Sequence, residues 1–372
     1  MPRRFLASRG NPPNMKKEIL LSYFPKITLK RYRDLTRIFP TLDDVWKAEF
    51  DDLRATRWED SLINEFLSWR DNLDEVKISD SLTRHGIACL TIDDPDYPPL
   101  LKQIYDPPFC LFIRGTLTAE NCLAVVGSRK FSLYGKQVAE SLTEELARRG
   151  ITIVSGLALG IDSIAHESAL RQNGRTIAVL GSGVDPLHIA PAGHAALAER
   201  IIAKNGAVIS EYPPGAMPSK YSFPQRNRII AGISLGVLVI EAAEKSGSLI
   251  TAQCALDNGR EVFAVPQNIT SPTSSGTNNL IKTGARAITD AEDIIEALDI
   301  EKTISDVADK KNPVSLSPNE ARVMESITSE PAHIDQIIKE SALPSPIVNG
   351  AITILEMKGV IKNIGGMMFM AI

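Results

Sequence analysis

Cysteine is scarce in this 372-residue chain: Cys89, Cys110, Cys122 and Cys254 are scattered, and no two have CxxC spacing. That excludes a zinc knuckle, a thioredoxin-like redox motif and a disulfide scaffold. The four thiols sit in or beside apolar segments and read as inert packing. Long apolar runs are missing as well. None approaches the roughly 18 residues that span a bilayer, so no membrane association is expected. The opening stretch MPRRFLASRGNPPN carries arginines but no apolar core, unlike a secretory signal. These absences together lead to the expectation of a reducing, cytoplasmic location. Neither sign of charge dominates: 41 Lys+Arg against 45 Asp+Glu leave a formal −4, which argues against a polycation that coats nucleic acid. The five histidines lack metal-site spacing. His188 and His194 lie in a loop pattern near Asp185. His166 follows Gly160-Ile-Asp162 at a helix start, where Asp162 suits the helix dipole and His166 suits packing. Neither a metal nor a cofactor is expected.

What the chain does contain is ordinary globular material, 44% hydrophobic and 23% charged. Its length suggests two or three domains at about 150 residues each. Charge is unevenly spread. Residues 120–290 hold 16 basic and 14 acidic side chains, a surplus of two, so the remainder carries −6. An anion site therefore belongs in the middle.

The periodicity divides the chain into four parts. Residues 15–80 place apolar side chains three and four apart, as in ILLSYF and SLINEFLSWRDNL, and predict a bundle of short helices. Residues 85–298 open with two short apolar runs around the turn-rich DDPDYPPLLKQIYDPP. They then alternate β-rich runs (CLAVVG, ITIVSG, TIAVLGSG, GAVISE, GVLVIEA, EVFAVP, ARAIT) with helical patterns such as YGKQVAESLTEELARRG. Strands that are apolar throughout are buried on both faces. The fold class is therefore α/β, a doubly wound, mainly parallel sheet. Residues 299–315 read as a linker, and 316–372 as three short helices and a Gly-Gly hairpin, a winged helix.

In such a sheet, ligands bind beyond the carboxyl ends of the strands. Those ends carry Gly127-Ser128-Arg129, Ser155-Gly156, Gly181-Ser182-Gly183 and, past Glu241, Lys245-Ser246-Gly247-Ser248. Small residues let a ligand approach the backbone, and helix N-termini supply amide donors. Four such turns on one edge predict a ledge that accepts phosphates. Arg129 offers a fork that grips two oxygens. Arg226, Asn227 and Arg228, in FPQRNR, lie about 100° apart on a helix. They are expected to fan around an anion at its N-terminus, with Asn227 as a cap in the alternative reading.

Other motifs fail. Gly127-Ser-Arg lacks the second glycine of GxGxxG, and Pro186 stands where the Gly181-Ser-Gly183 run needs its third. GTNNLIKT, 276–283, has Ile281 where a P-loop has glycine, so ATP hydrolysis loses its main support. GISLG, 232–236, matches the nucleophile elbow, but the predicted order is helix then strand, so Ser234 is no nucleophile.

The segments VVGSRKFSLYG (126–136), SGLALGIDSIAHESAL (155–170), VLGSGVD (179–185), ISEYPPG (209–215), FPQRNRIIAG (223–232), EAAEKSGSLITAQCAL (241–256) and GREVFAVP (259–266) appear in a highly specific order. Together they resemble the DNA-processing protein A (DprA/Smf) family over residues 90–295. The resemblance implies an extended Rossmann-like domain preceded by a SAM-like or helix-hairpin-helix region. It also implies single-stranded DNA binding, loading of the RecA recombinase during natural transformation, and a homodimer. Gly127, Ser128, Arg129, Ser155, Gly156, Arg226, Asn227 and Lys245 match the family's motifs and are expected to contact backbone phosphates, without a chemical step. The chain departs from the pattern at Gln267, where the family usually has glycine, and at Ala190, where a tyrosine is usual. Tyr221 and Phe223 are candidate stacking platforms, with core packing as the other reading.

A different class of function is a nucleotide-processing, Rossmann-like phosphoribohydrolase with Glu241 as acid or base, although the PGGxGT-type run of those enzymes is missing. A nucleotide-sensing regulator is a third reading. Residues 318–372 carry four basic and six acidic side chains, the wrong sign for gripping a duplex, so a protein contact stands beside DNA for the winged helix.

Overall fold

The computed structural model describes residues 15–300, 316–328, 331–358 and 360–371. It forms two compact units, one running to Thr303 and one from Ile304. The expected linker, 299–315, lies almost wholly outside the described residues.

The first unit begins with six short helices: Lys17–Leu21 (α1), Leu29–Ile38 (α2), Leu42–Lys47 (α3), Phe50–Leu53 (α4), Asp60–Asp71 (α5) and Glu75–Arg84 (α6). Short polar side chains set where they start. Thr28 accepts from Arg31 N, Thr41 and Asp44 form a capping box, and Asp74 accepts from Lys77 N. Their apolar faces enclose an aromatic cluster in which Phe66 meets Phe24, Trp46 and Trp58 edge-on. Tyr32 stacks on Phe109 at 4.6 Å, and Tyr23 meets Phe112 edge-on. One core therefore runs from the helices onto the sheet.

The sheet has nine strands: Ala88–Thr91 (β1), Cys110–Gly115 (β2), Cys122–Val126 (β3), Thr152–Ser155 (β4), Thr176–Val179 (β5), Ala207–Ser210 (β6), Gly236–Val239 (β7), Glu261–Ala264 (β8) and Arg286–Ala287 (β9). Their order is β1-β2-β6-β5-β4-β3-β7-β8-β9. From β6 to β9 all pairs are parallel, whereas β2 runs antiparallel to both of its neighbours, β1 and β6. Every residue of β3, β4, β5, β6 and β7 is buried. The doubly wound, mainly parallel sheet expected from the apolar runs is the one observed, as is the extended Rossmann-like domain that the resemblance implies. Helices Pro99–Lys102 (α7), Leu133–Arg148 (α8), Ile161–Arg171 (α9), Ala195–Ala203 (α10), Ser222–Gly232 (α11), Gly247–Asp257 (α12), Ser275–Lys282 (α13) and Glu292–Ala297 (α14) cover its two faces. The chain winds outward from β3 through β4, β5 and β6, then returns to place β7 on the other side of β3. That reversal opens a crevice at the carboxyl ends of β3 and β7.

The second unit holds Pro318–Glu325 (α15), Ala332–His333 (β10), Ile334–Ser341 (α16), Ser345–Met357 (α17), Ile361–Gly365 (β11) and Met368–Ala371 (β12). The strands order β10-β12-β11, and Gly365, Gly366 and Met367 turn the wing at φ of 95°, 61° and 59°. A Cβ at either glycine would meet nothing, so it is the left-handed backbone that favours glycine there. This is the winged helix that the Gly-Gly hairpin predicted.

Candidate nucleic-acid interface

The crevice holds an open pocket of about 600 Å³. It is built by Gly127–Lys130 after β3, Ala158 and Asp162 where β4 leads into α9, Ala243–Ser246 after β7 with the first turns of α12, Thr273 after β8, and α11 from Phe223 to Ile230. Arg226 and Asn227 therefore lie in the middle of that helix and not at the expected N-terminus. Close backbone packing holds the loops together. Ser128 N donates to Glu241 O at 2.7 Å and Ile161 N to Ser128 O at 3.2 Å. Gly160 sits at φ 93°, where a Cβ would lie 2.4 Å from Ser128 O. No side chain fits, so the second loop presses directly on the first.

Two kinds of cation meet this pocket. Arg129 and Lys245 stand exposed on its rim beside Lys130, and none of the three side chains makes a hydrogen bond or ion pair with the described residues. Arg226 is the opposite. Only 4% exposed, it donates to Gly156 O at 2.6 Å, to Val179 O, and through Nε to Asn227 Oδ1 at 3.2 Å. Gly156 makes the room, since a Cβ there would fall 2.5 Å from the guanidinium. Burial lowers the Arg226 pKa to about 10, against the pull of Asp162, so the side chain stays charged at neutral pH. Burial raises the Asp162 pKa, with Arg226 and the backbone amides opposing the rise. Its carboxylate accepts from Gly156 N at 3.1 Å. A fixed positive charge thus lies under the floor, and exposed ones line the mouth.

At the far wall stands the N-terminus of α12. Ser246 caps it, accepting from Ser248 N at 3.4 Å, and Asn227 Nδ2 donates to Gly247 O at 3.3 Å. The amides of this first turn supply further donors for an anion.

The pocket brings together Gly127, Ser128, Arg129, Arg226, Asn227, Lys245, Ser246, Gly247 and Ser248. Five expected residues stay outside it. Ser155 is fully buried and donates to Val125 O at 2.6 Å. Gly156 serves Arg226 from behind. Gly181 lets the start of α11 approach, with a Cβ meeting Ser222 at 3.1 Å, and Gly183 fits against Pro213 and Gly215. Arg228 departs most from the expected fan. It grips Glu211 at 2.7 Å through both terminal nitrogens and Asp106 at 3.0 Å through Nε. Burial alone would lower its pKa, but those carboxylates raise it. One helical step separates Arg228 from the pocket.

Among residues that were not expected in the site, the pocket includes Lys130, Asp162, Ile250 and Thr273. Lys130 was signalled by its neighbour Arg129. Thr273 has no local signal, because only the loop after β8 carries it there. Phe223, the first residue of FPQRNR, also lines the wall. Glu241 does not face a ligand. Fully buried, its carboxylate accepts from Ser132 N at 3.1 and 3.2 Å and from Ser132 Oγ at 2.9 Å, holding the N-terminus of α8. Ser234 is likewise buried, donating to Ile230 O. No group of three or more potential metal ligands occurs among the described residues, and no helix among them is long and apolar enough to cross a membrane.

The fold and pocket match known proteins. Residues 88–299 match the family model of DNA recombination-mediator protein A, and residues 307–367 match the DprA winged helix domain. Protein Smf of Escherichia coli is 43% identical over 283 residues, 74% of this chain and 75% of that protein. DNA processing protein DprA of Bacillus subtilis is 48% identical over 216 residues, 57% of this chain and 72% of that protein. The structure of DNA processing protein A from Streptococcus pneumoniae superposes at TM-score 0.63 and 33% identity, covering 76% of this chain and 98% of that one. DNA processing protein A from Helicobacter pylori, which has a unique single-stranded DNA binding mode, superposes at 0.51 and 33% identity, covering 57% and 96%. With both its sheet domain and its winged helix matched, this chain belongs to the DNA recombination-mediator protein A (DprA/Smf) family.

Proposed function

We propose that this protein binds single-stranded DNA through the crevice between β3 and β7, protects it, and delivers it to the RecA recombinase during natural transformation. It acts in the cytoplasm, as a homodimer, without catalysing a chemical step. The observation that carries the reading is the pairing of unpartnered Arg129 and Lys245 with the amides of α12 over a buried Arg226. Cations and amides select phosphate and ignore base identity, which suits a protein that must accept any sequence. Membership of the family supports the mediator role, and the Helicobacter pylori relative supports the single strand as ligand. The phosphoribohydrolase reading loses its acid, because Glu241 is consumed in holding α8.

Fluorescence anisotropy with a labelled single strand and its duplex tests the proposal. Preference for the single strand is expected, and Arg129→Glu should weaken it at least ~10-fold with an unchanged circular dichroism spectrum, since the side chain is exposed. Equal affinity of the variant would overturn the site. Release of free base from a nucleoside monophosphate would restore the enzyme.

A further inference from the structure

Four large apolar side chains stand exposed beside the pocket: Phe131 at 41%, Leu133 at 73%, Tyr134 at 48% and Ile269 at 88%. Phe131 lies on the loop after β3, Leu133 and Tyr134 on the first turn of α8 that follows it, and Ile269 on the loop after β8. Lys130 and Thr273 of the same two segments line the pocket itself, and Tyr134 Oη donates to Pro266 O at 3.2 Å, tying the first turn of α8 to the loop after β8 in one rim. Residues 129–137 contain Arg129, Lys130 and Lys136 and no acid, and residues 265–274 contain no charged side chain. The two segments are therefore apolar and aromatic with cations and no acid among them, and they adjoin a phosphate-accepting crevice. An acidic groove on a protein would suit the lysines but leave the rings without a counterpart. A polyanion carrying flat apolar faces suits both. The tether on Tyr134 also holds its ring in place before any ligand arrives, which lowers the ordering cost of stacking.

We infer that this rim is a second subsite, for unpaired bases of the strand as it leaves the crevice, with Phe131 and Tyr134 as stacking faces and Lys130 and Lys136 beside the backbone. The subsite rests on the single-stranded DNA reading above and extends it by assigning a place to the bases. It makes affinity depend on strand length and on the presence of bases, neither of which phosphate contacts in one pocket would require.

The test compares oligo-dT of about 6 and about 12 nucleotides, and a 12-mer whose added half is abasic, on the full chain and on the Phe131→Ala/Tyr134→Ala variant. Wild type should gain roughly tenfold in affinity on lengthening, and lose that gain when the added half is abasic. The double variant should bind the short strand as wild type does and show no gain. A gain that survives in the variant, or that the abasic strand retains, overturns the subsite while leaving the crevice intact. So does a variant whose sedimentation shows a lost dimer, because the rim is then a contact between copies. Failure of wild type to bind the short strand defeats the underlying reading as well.

Discussion

At the scale of single residues, the molecule separates arginines that hold structure from those that meet a ligand. Arg226 and Arg228 are two positions apart on α11, yet one lies under the pocket on backbone carbonyls and the other is locked between Glu211 and Asp106. Arg129, on a loop, lines the pocket with no side-chain partner among the described residues. Replacing Arg226 would leave buried carbonyls unpaired and Asp162 without its cationic neighbour, a stability defect rather than a clean binding defect. His166 sets a pH dependence of its own. It is fully buried, with Nδ1 on Thr176 Oγ1 at 2.7 Å, and burial lowers its pKa to about 3. An unfolded histidine titrates near 6.5, so between these values the unfolded chain holds a proton that the native state does not. Stability is expected to fall as pH drops from about 6.5 toward 3, by up to about 1.4 kcal/mol per pH unit from this group. Asp162, whose pKa burial raises, works in the opposite direction. Urea unfolding of wild type and His166→Gln across this window separates the two, and the variant should show the shallower acid-side loss.

At the scale of elements, helix ends decide where anions sit. The N-terminus of α8 follows the first parallel strand, the position at which a dinucleotide fold receives its pyrophosphate. Here the Glu241 carboxylate already occupies it, bonded to Ser132, and Gly135 has no side chain because a Cβ would lie 1.8 Å from Oε2. The free first turn belongs to α12 instead. Gly135→Ala should therefore displace the carboxylate and cost about 2 kcal/mol in denaturant melts. It should also disturb the Gly127–Arg129 loop, which hangs on Glu241 O through Ser128 N. In the winged helix, α17 exposes Ile347, Gly350 and Ile354, and Lys358 just beyond its end bonds Glu320 at 2.6 Å. An exposed face with so little positive charge suits a protein contact better than a duplex.

Across the whole molecule the net charge is only −4, and the rim of the crevice carries three exposed cations, Arg129, Lys130 and Lys245. If each rim cation neutralises one phosphate, log affinity for a single strand should fall with log salt at a slope of about −2, at about −0.7 per phosphate. Lys245→Ala should make the slope shallower by about 0.7. A salt series on both proteins measures this, and a much steeper slope in wild type would mean that cations outside the crevice take part.

The sheet and its order of elements were readable in the chain because the information is local. Runs such as CLAVV and GVLV are apolar at every position, and only strands buried on both faces need that. Arg129 was readable too, since one loop after one strand sets its place. Arg226 and Arg228 were not. Which carbonyls or carboxylates lie across from a helix face depends on residues 17 to 122 positions away in the chain, and their burial depends on how α11 seats against β4 and β5. The same holds for Glu241, whose role depends on Ser132, 109 positions away, and for Thr273, which reaches the pocket only because β7 and β8 lie side by side. Local patterning specifies which segments become strands, helices and turns. Long-range packing decides which of their charges are spent inside the protein and which remain for a ligand, because a charge is free only where no partner has been folded against it.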